Sequence, residues 1–129
     1  MLLDTCAFIW LLQGGREFST TVARQIEDPS IHLLVSAISA CEIGIKEAKG
    51  DLTLPGTAFS EVWFEEAAED LGIEVVEIDP QIAWNSTRLP WHHRDPFDRL
   101  IIATALDRKV SIVTPDRTFD LYDKVSRFW

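Results

Sequence analysis

Four carboxylates occupy one kind of address along this chain. Asp4, Glu42, Asp98 and Asp116 each follow a short apolar run or lie on the helical pattern after it. In an open parallel α/β sheet, ligands bind beyond the carboxyl ends of the strands, so acids far apart in sequence meet in one crevice there. Oxygen-only donors suit a hard divalent cation, Mg2+ or Mn2+, better than zinc, which prefers His and Cys. Such an ion inverts the local field, and a phosphate then bridges metal and protein.

Each acid also has an ordinary structural reading. Asp4 fits a helix N-cap, Ser39-Ala40-Cys41-Glu42 fits a capping box, Asp95-Pro96-Phe97-Asp98 fits an Asp-cap with proline at the first helical position, and Pro115-Asp116 fits a turn. Glu42 and Lys46 also have the spacing of an i,i+4 helix pair. Against these readings, Glu42 shares a helix face with Ile38 and Ile45, and Asp98 lies one turn before Ile101 and Ile102. An ionised group bordering core is costly unless it is paired, hydrogen-bonded or metal-bound.

The elements that must position these acids alternate strand and helix. Leu2-Leu3 reads as a buried strand, Ala7 to Leu12 as a core helix ending at Gly14-Gly15, and Ser19 as the cap of a short helix reaching Ile26. Ile31 to Ser36 is a strand, followed by a helix from Ser39 to Lys49 and a connector from Asp51 to Pro55. Ala58 to Leu71 is amphipathic through Phe59, Val62, Trp63 and Ala67, and Glu74 to Ile78 returns as a strand. Asp79-Pro80 starts a helix to about Arg88 that Pro90 stops. Leu100 to Leu106 is nearly continuous apolar helix, Ser111 to Thr114 a buried strand, and Val125 to Phe128 a last one. This alternation predicts a parallel sheet covered on both faces, a three-layer α/β sandwich.

The 129 residues fit one domain, 1–129, with a real core. Hydrophobic residues, 47% of the chain, come in short blocks with no membrane span or signal peptide, so the expectation is a soluble cytoplasmic protein. Cys6 and Cys41 are expected as reduced, partly buried thiols rather than a disulfide. The net charge of −9 argues against a phosphate partner unless a cation bound by the acids reverses it locally.

Four segments together resemble the motifs of PIN-domain ribonucleases, and more narrowly the VapC-type toxins of bacterial toxin–antitoxin pairs. They are Leu2-Leu3-Asp4-Thr5, Ser36 to Ile43 with Lys46, His93-Arg94-Asp95-Pro96-Phe97-Asp98-Arg99 with the following apolar run, and Val113-Thr114-Pro115-Asp116. The third is the most specific. The resemblance implies a PIN-like α/β/α sandwich with about five mostly parallel strands, and a Mg2+- or Mn2+-dependent endoribonuclease. It also implies an RNA substrate, a cognate antitoxin and a homodimer. It makes Asp4, Glu42, Asp98 and Asp116 the catalytic, metal-binding acids, with Asp95 as a supporting residue. Thr114 corresponds to a hydroxyl near the bound water, and Thr5 and Ser39 to residues orienting the acids. Cys6 stands where such toxins often have His, and Cys41 where they often have Trp; neither removes a proposed ligand.

The chemistry implied is hydrolysis to a 5′-phosphate and a 3′-hydroxyl without a covalent protein nucleophile. Trp91, His93, Arg94 and Arg99 are candidate RNA contacts, through stacking and phosphate binding. Trp10, Trp63, Trp84 and Trp129 read first as core. Two other functions stay open from sequence: another metal-dependent phosphoryl hydrolase, and a non-catalytic PIN-like module whose acids only cap helices. A phosphatase signature of Asp with a second Asp two residues on is missing, because Asp4 is followed by Thr5 and Cys6.

Overall fold

The fold is a five-stranded, all-parallel sheet with helices on both faces, seen in a computed structural model that describes residues 1–54 and 62–129. The elements in chain order are β1 (Leu2–Leu3), α1 (Thr5–Leu12), α2 (Thr20–Ile26), β2 (Leu34–Ser36), α3 (Ile38–Ala48) and α4 (Trp63–Asp70). They continue with β3 (Glu74–Val76), α5 (Pro80–Arg88), α6 (Pro96–Arg108), β4 (Ile112–Val113), a 3-10 turn (Arg117–Leu121) and β5 (Arg127–Phe128). The strand order is β3-β2-β1-β4-β5.

The strands are short and apolar because both of their faces are covered. Alternation along the pleat then assigns each residue to a side. Leu3, Val35 and Val113 point into one core with Ala7 and Phe8 of α1 and with Phe64 and Ala68 of α4. Leu2, Leu34, Val76 and Ile112 point into the other, against Ile101, Ile102 and Ala105 of α6. The α6 stretch is apolar nearly all round and accordingly runs through the interior.

The chain runs from β1 outward to β2 and β3, then returns to lay β4 on the opposite flank of β1. The order therefore reverses between β1 and β4, and the crevice beyond their carboxyl ends is where an open α/β sheet takes its ligands.

Several expected bounds contract. The strands end at Leu34–Ser36, Glu74–Val76, Ile112–Val113 and Arg127–Phe128, because flanking residues lack a neighbour strand to pair with in register. Helix α6 instead extends beyond the expected apolar run to Pro96–Arg108, and Lys109 after it, with a φ of 55°, supplies the left-handed cap usually left to glycine. The expected helix from Ala58 falls partly outside the described residues, as do Phe59 and Pro55; its described part is α4. Cys6 and Cys41 are both free, as expected, but exposed rather than partly buried. Trp84 is also exposed: α5 turns its apolar side, Ile82, inward and leaves Trp84 in solvent against Arg88. Trp129, 38% exposed, also departs from the core expectation, and half-buried Trp10 meets it only in part; the two rings pack on each other and on Phe18 beside β5.

Candidate active site

The four acids arrive by four routes. Asp4 directly follows β1 and caps α1, its carboxylate accepting from the Ala7 amide at 2.6 Å. Glu42 projects from the second turn of α3, and Asp98 from the first turn of α6. Asp116 follows β4 and caps the 3-10 turn by accepting from the Thr118 amide at 2.8 Å. Together with Thr5, Cys6 and Pro115 they line one open pocket of about 150 Å3. Capping and clustering are therefore compatible for Asp4 and Asp116, because one carboxylate oxygen caps and the other remains available.

The capping box expected at Ser39 does not form. Helix α3 starts one residue earlier, with Ala37 as its cap residue, so Ser39 lies inside the helix. Its buried hydroxyl accepts from Thr5 at 3.0 Å and ties α1 to α3 beneath Asp4 and Glu42. Glu42 instead pairs with Lys46 at 2.8 Å. Asp95 caps α6, accepting from the Phe97 amide at 2.9 Å, and does not line the acid pocket. Thr114 is fully buried; its hydroxyl accepts from the Asp116 amide at 3.1 Å and hydrogen-bonds Asp4, joining the two strand-end acids.

Burial raises Asp4 to about 6, with repulsion from Glu42 and Asp116 adding to it and the Thr114 and Ala7 hydrogen bonds opposing it. Burial also raises Asp98 to about 7, reinforced by the charges of Asp95, Glu42, Asp4 and Asp116. Asp116 is mildly desolvated, yet hydrogen bonds from Thr118 and the charges of His93 and Arg127 hold it below the ordinary carboxylate range. The pocket thus concentrates negative charge that its own cations only partly balance. Among the described residues, no three His, Cys, Asp or Glu side chains close into a ready-made ion cage. Lys46 draws Glu42 to itself, and His93 lies between Asp98 and Asp116, at 3.1 Å from one and 3.4 Å from the other.

His93 corrects an expectation. It is buried against Phe119 and faces the two acids, so it orients carboxylates rather than meeting RNA. Arg99 corrects another. The residue is 4% exposed, and its guanidinium donates to the carbonyls of Ser86, Leu89 and Pro90 at 2.8 Å each and of His93 at 3.2 Å, leaving it unavailable to a phosphate. The apolar surroundings of the helix gave no hint of this, since the partners are backbone carbonyls at the C-terminal end of α5 and in the loop that follows it. Trp91 and Arg94 remain exposed.

Tyr122 has no signal in the sequence that marks it as part of the site. Its hydroxyl accepts from the His93 amide at 2.9 Å and donates to the Pro90 carbonyl at 3.2 Å. Arg99 and Tyr122 thereby fix the loop from Leu89 to His93 from two sides, and that loop sets His93 against the acids.

A family model described as PIN domain matches residues 1–125. Ribonuclease VapC22 of Mycobacterium tuberculosis is 31% identical over 120 residues, covering 91% of this chain and 87% of that protein. The crystal structure of VapBC2 from Rickettsia felis bound to a DNA fragment from their promoter superposes with a TM-score of 0.68 at 12% identity, over 98% of this chain and 96% of that one. FitAcB from Neisseria gonorrhoeae does so with a TM-score of 0.64 at 22% identity, over 99% and 96%. At these identities the two superpositions speak for the fold alone.

Proposed function

This chain belongs to the PIN-domain family, and from that membership we propose that it is a metal-dependent endoribonuclease, the toxin of a toxin–antitoxin pair. Residues 1–129 act as one domain in the cytoplasm, as a homodimer held inactive by a cognate antitoxin. No helix among the described residues is long and apolar enough to cross a membrane. The antitoxin partnership draws on the VapBC complexes that share this fold. Hydrolysis of RNA draws on the ribonuclease relative.

Asp4, Glu42, Asp98 and Asp116 would hold Mg2+ or Mn2+. Their donor set is all oxygen, and two of them, buried Asp4 and half-buried Asp98, are raised chiefly by desolvation with repulsion from the neighbouring acids adding to it, a cost that a divalent cation relieves. When bound, the ion supplies charge neutralisation at the phosphoryl group and acidifies a water. The chain's own groups do the positioning. Thr114 and the Ala7 amide fix Asp4, and the His93 ring lies between Asp98 and Asp116, its Nδ1 3.1 Å from the first and its Nε2 3.4 Å from the second without a hydrogen bond. Thr5 and Ser39 hold α1 and α3 in register so that Asp4 and Glu42 face each other. Water oxygen bonds to phosphorus, the bond from phosphorus to the 3′-oxygen breaks, and the products carry a 5′-phosphate and a 3′-hydroxyl. The departing 3′-oxygen takes up a proton as the attacking water gives one up, and the pocket is open to solvent for that exchange on the side of Asp116, whose side chain is 45% exposed.

The observation that most supports this reading is the convergence of four sequence-distant carboxylates in one pocket at the point where strand order reverses. The test is cleavage of a total-RNA pool by purified protein with Mn2+, beside EDTA and Asp98→Ala controls. Discrete products that vanish in both controls support the proposal. Cleavage that survives Asp98→Ala removes Asp98 from the site, and no cleavage with any divalent metal removes the nuclease.

A further inference from the structure

The proposed acid site uses one side of the first turn of α6, while the other side carries a groove with no part in it. Pro96 and Leu100 line that groove, and Asp98, midway between them in the helix, points about 200° away at 100° per residue. The preceding loop divides in the same way. His93 is turned onto the acids, whereas Trp91 and Arg94 are exposed and line the groove, whose volume is about 300 Å3.

The groove offers an ordered aromatic surface with positive charge. Trp91 is 72% exposed, yet the Arg99 guanidinium lies 4.1 Å from its ring centre and holds it in place. A platform fixed in advance loses little rotamer freedom when a ligand stacks on it. In a chain of net charge −9, no residue lining this groove is acidic. Arg94 forms no ion pair among the described residues. Arg99 is bonded to four carbonyl oxygens and to no carboxylate, so its charge stands unneutralised beneath the ring. An anion carrying a flat ring complements both features.

We infer that this groove is a subsite for one nucleotide of a single-stranded RNA substrate, with its base stacked on Trp91 and its phosphate against Arg94. The inference rests on the nuclease reading and deepens it, by assigning a second contact to the same strand. Arg99 contributes field and support, not a direct contact.

The experiment titrates a labelled single-stranded RNA 10-mer of mixed sequence into the full chain carrying Asp98→Asn, so that binding is read apart from turnover, at several salt concentrations. Trp91→Leu is expected to weaken binding about tenfold with the salt dependence unchanged. Arg94→Gln is expected to weaken it and to lower the slope of log Kd against log salt by about 0.7, one phosphate's share for a single strand. Circular dichroism confirms that both variants stay folded. Binding unaltered by both substitutions overturns the subsite, as does absence of binding by the Asp98→Asn chain. If Trp91→Leu leaves RNA affinity unchanged but shifts the sedimentation of the chain, the groove is a contact between copies and the inference fails. The nuclease reading is scored separately on cleavage by the unsubstituted chain. Normal cleavage with indifferent Trp91 and Arg94 overturns only the subsite, whereas Trp91-dependent binding without cleavage overturns only the nuclease.

Discussion

Replacing Asp4 with asparagine should stabilise the metal-free protein while removing its proposed activity. Asp4 is 6% exposed and raised from 3.8 to about 6 by burial, with neighbouring Glu42 and Asp116 adding repulsion. Unfolding frees the carboxyl to ionise at its ordinary value, so the folded state binds more protons between the two. Stability is therefore fully present below about pH 4 and falls as pH rises toward 6. At about 1.36 kcal/mol per unit, the loss by pH 8 comes to about 3 kcal/mol. Asparagine retains an oxygen to accept from the Ala7 amide and carries no charge. Allowing about 1 kcal/mol for imperfect replacement of the Thr114 hydrogen bond leaves a net gain of about 2 kcal/mol. That corresponds to a melting temperature higher by about 8 °C for a domain of this size. The assay is urea unfolding of parent and Asp4→Asn in EDTA from pH 4 to pH 8. Toward the acid end the variant should lose this advantage and fall about 1 kcal/mol below the parent, the cost of the Thr114 hydrogen bond alone. Saturating Mn2+ should reverse the ranking, since at 100 times Kd an ion adds about 2.7 kcal/mol only to the chain that binds it. A variant less stable than the parent at pH 8 in EDTA, or an advantage independent of pH, would refute the electrostatic account.

Two further outcomes follow from the groups around the acids. Arg99→Lys removes a planar fork that one ammonium cannot replace across four carbonyls, so it should cost about 3 kcal/mol or more, read as a lower urea midpoint. A loss under about 1 kcal/mol would mean the loop from Leu89 to His93 is held by other contacts. Lys46→Ala removes the cation now 2.8 Å from Glu42 and should tighten Mn2+ binding roughly tenfold by calorimetry, a free-energy change of about 1.4 kcal/mol. Weaker binding would show that Lys46 supports the ion site rather than competing for it.

The fold and the acids were legible because their signals are local. Buried parallel strands read as apolar runs such as Leu2-Leu3 and Ile112-Val113, and caps such as Asp79-Pro80 and Asp95-Pro96 mark helix starts with little ambiguity. The four carboxylates stood out because each follows such a marked element. The capping box at Ser39 misled for the same reason. Its spacing satisfied a local rule, but pairing of Ser39 with Thr5, 34 residues away, took the hydroxyl elsewhere.

The sequence by itself determined the alternation of elements, the donor chemistry of the site and the family to which its motifs belong, because these depend on residue type and short spacing. Tertiary structure decided what each charged side chain does. Arg94 and Arg99 look equivalent in the motif, yet one is exposed and the other is enclosed by four carbonyls. His93 bridges two acids that come from different elements, and Tyr122 fixes a loop 29 residues before it. The physical reason is that hydrogen-bonding and ionic partners here are set by which loops the sheet order brings together. Desolvation, which raises Asp4 and Asp98, exists only once the helices have closed over them.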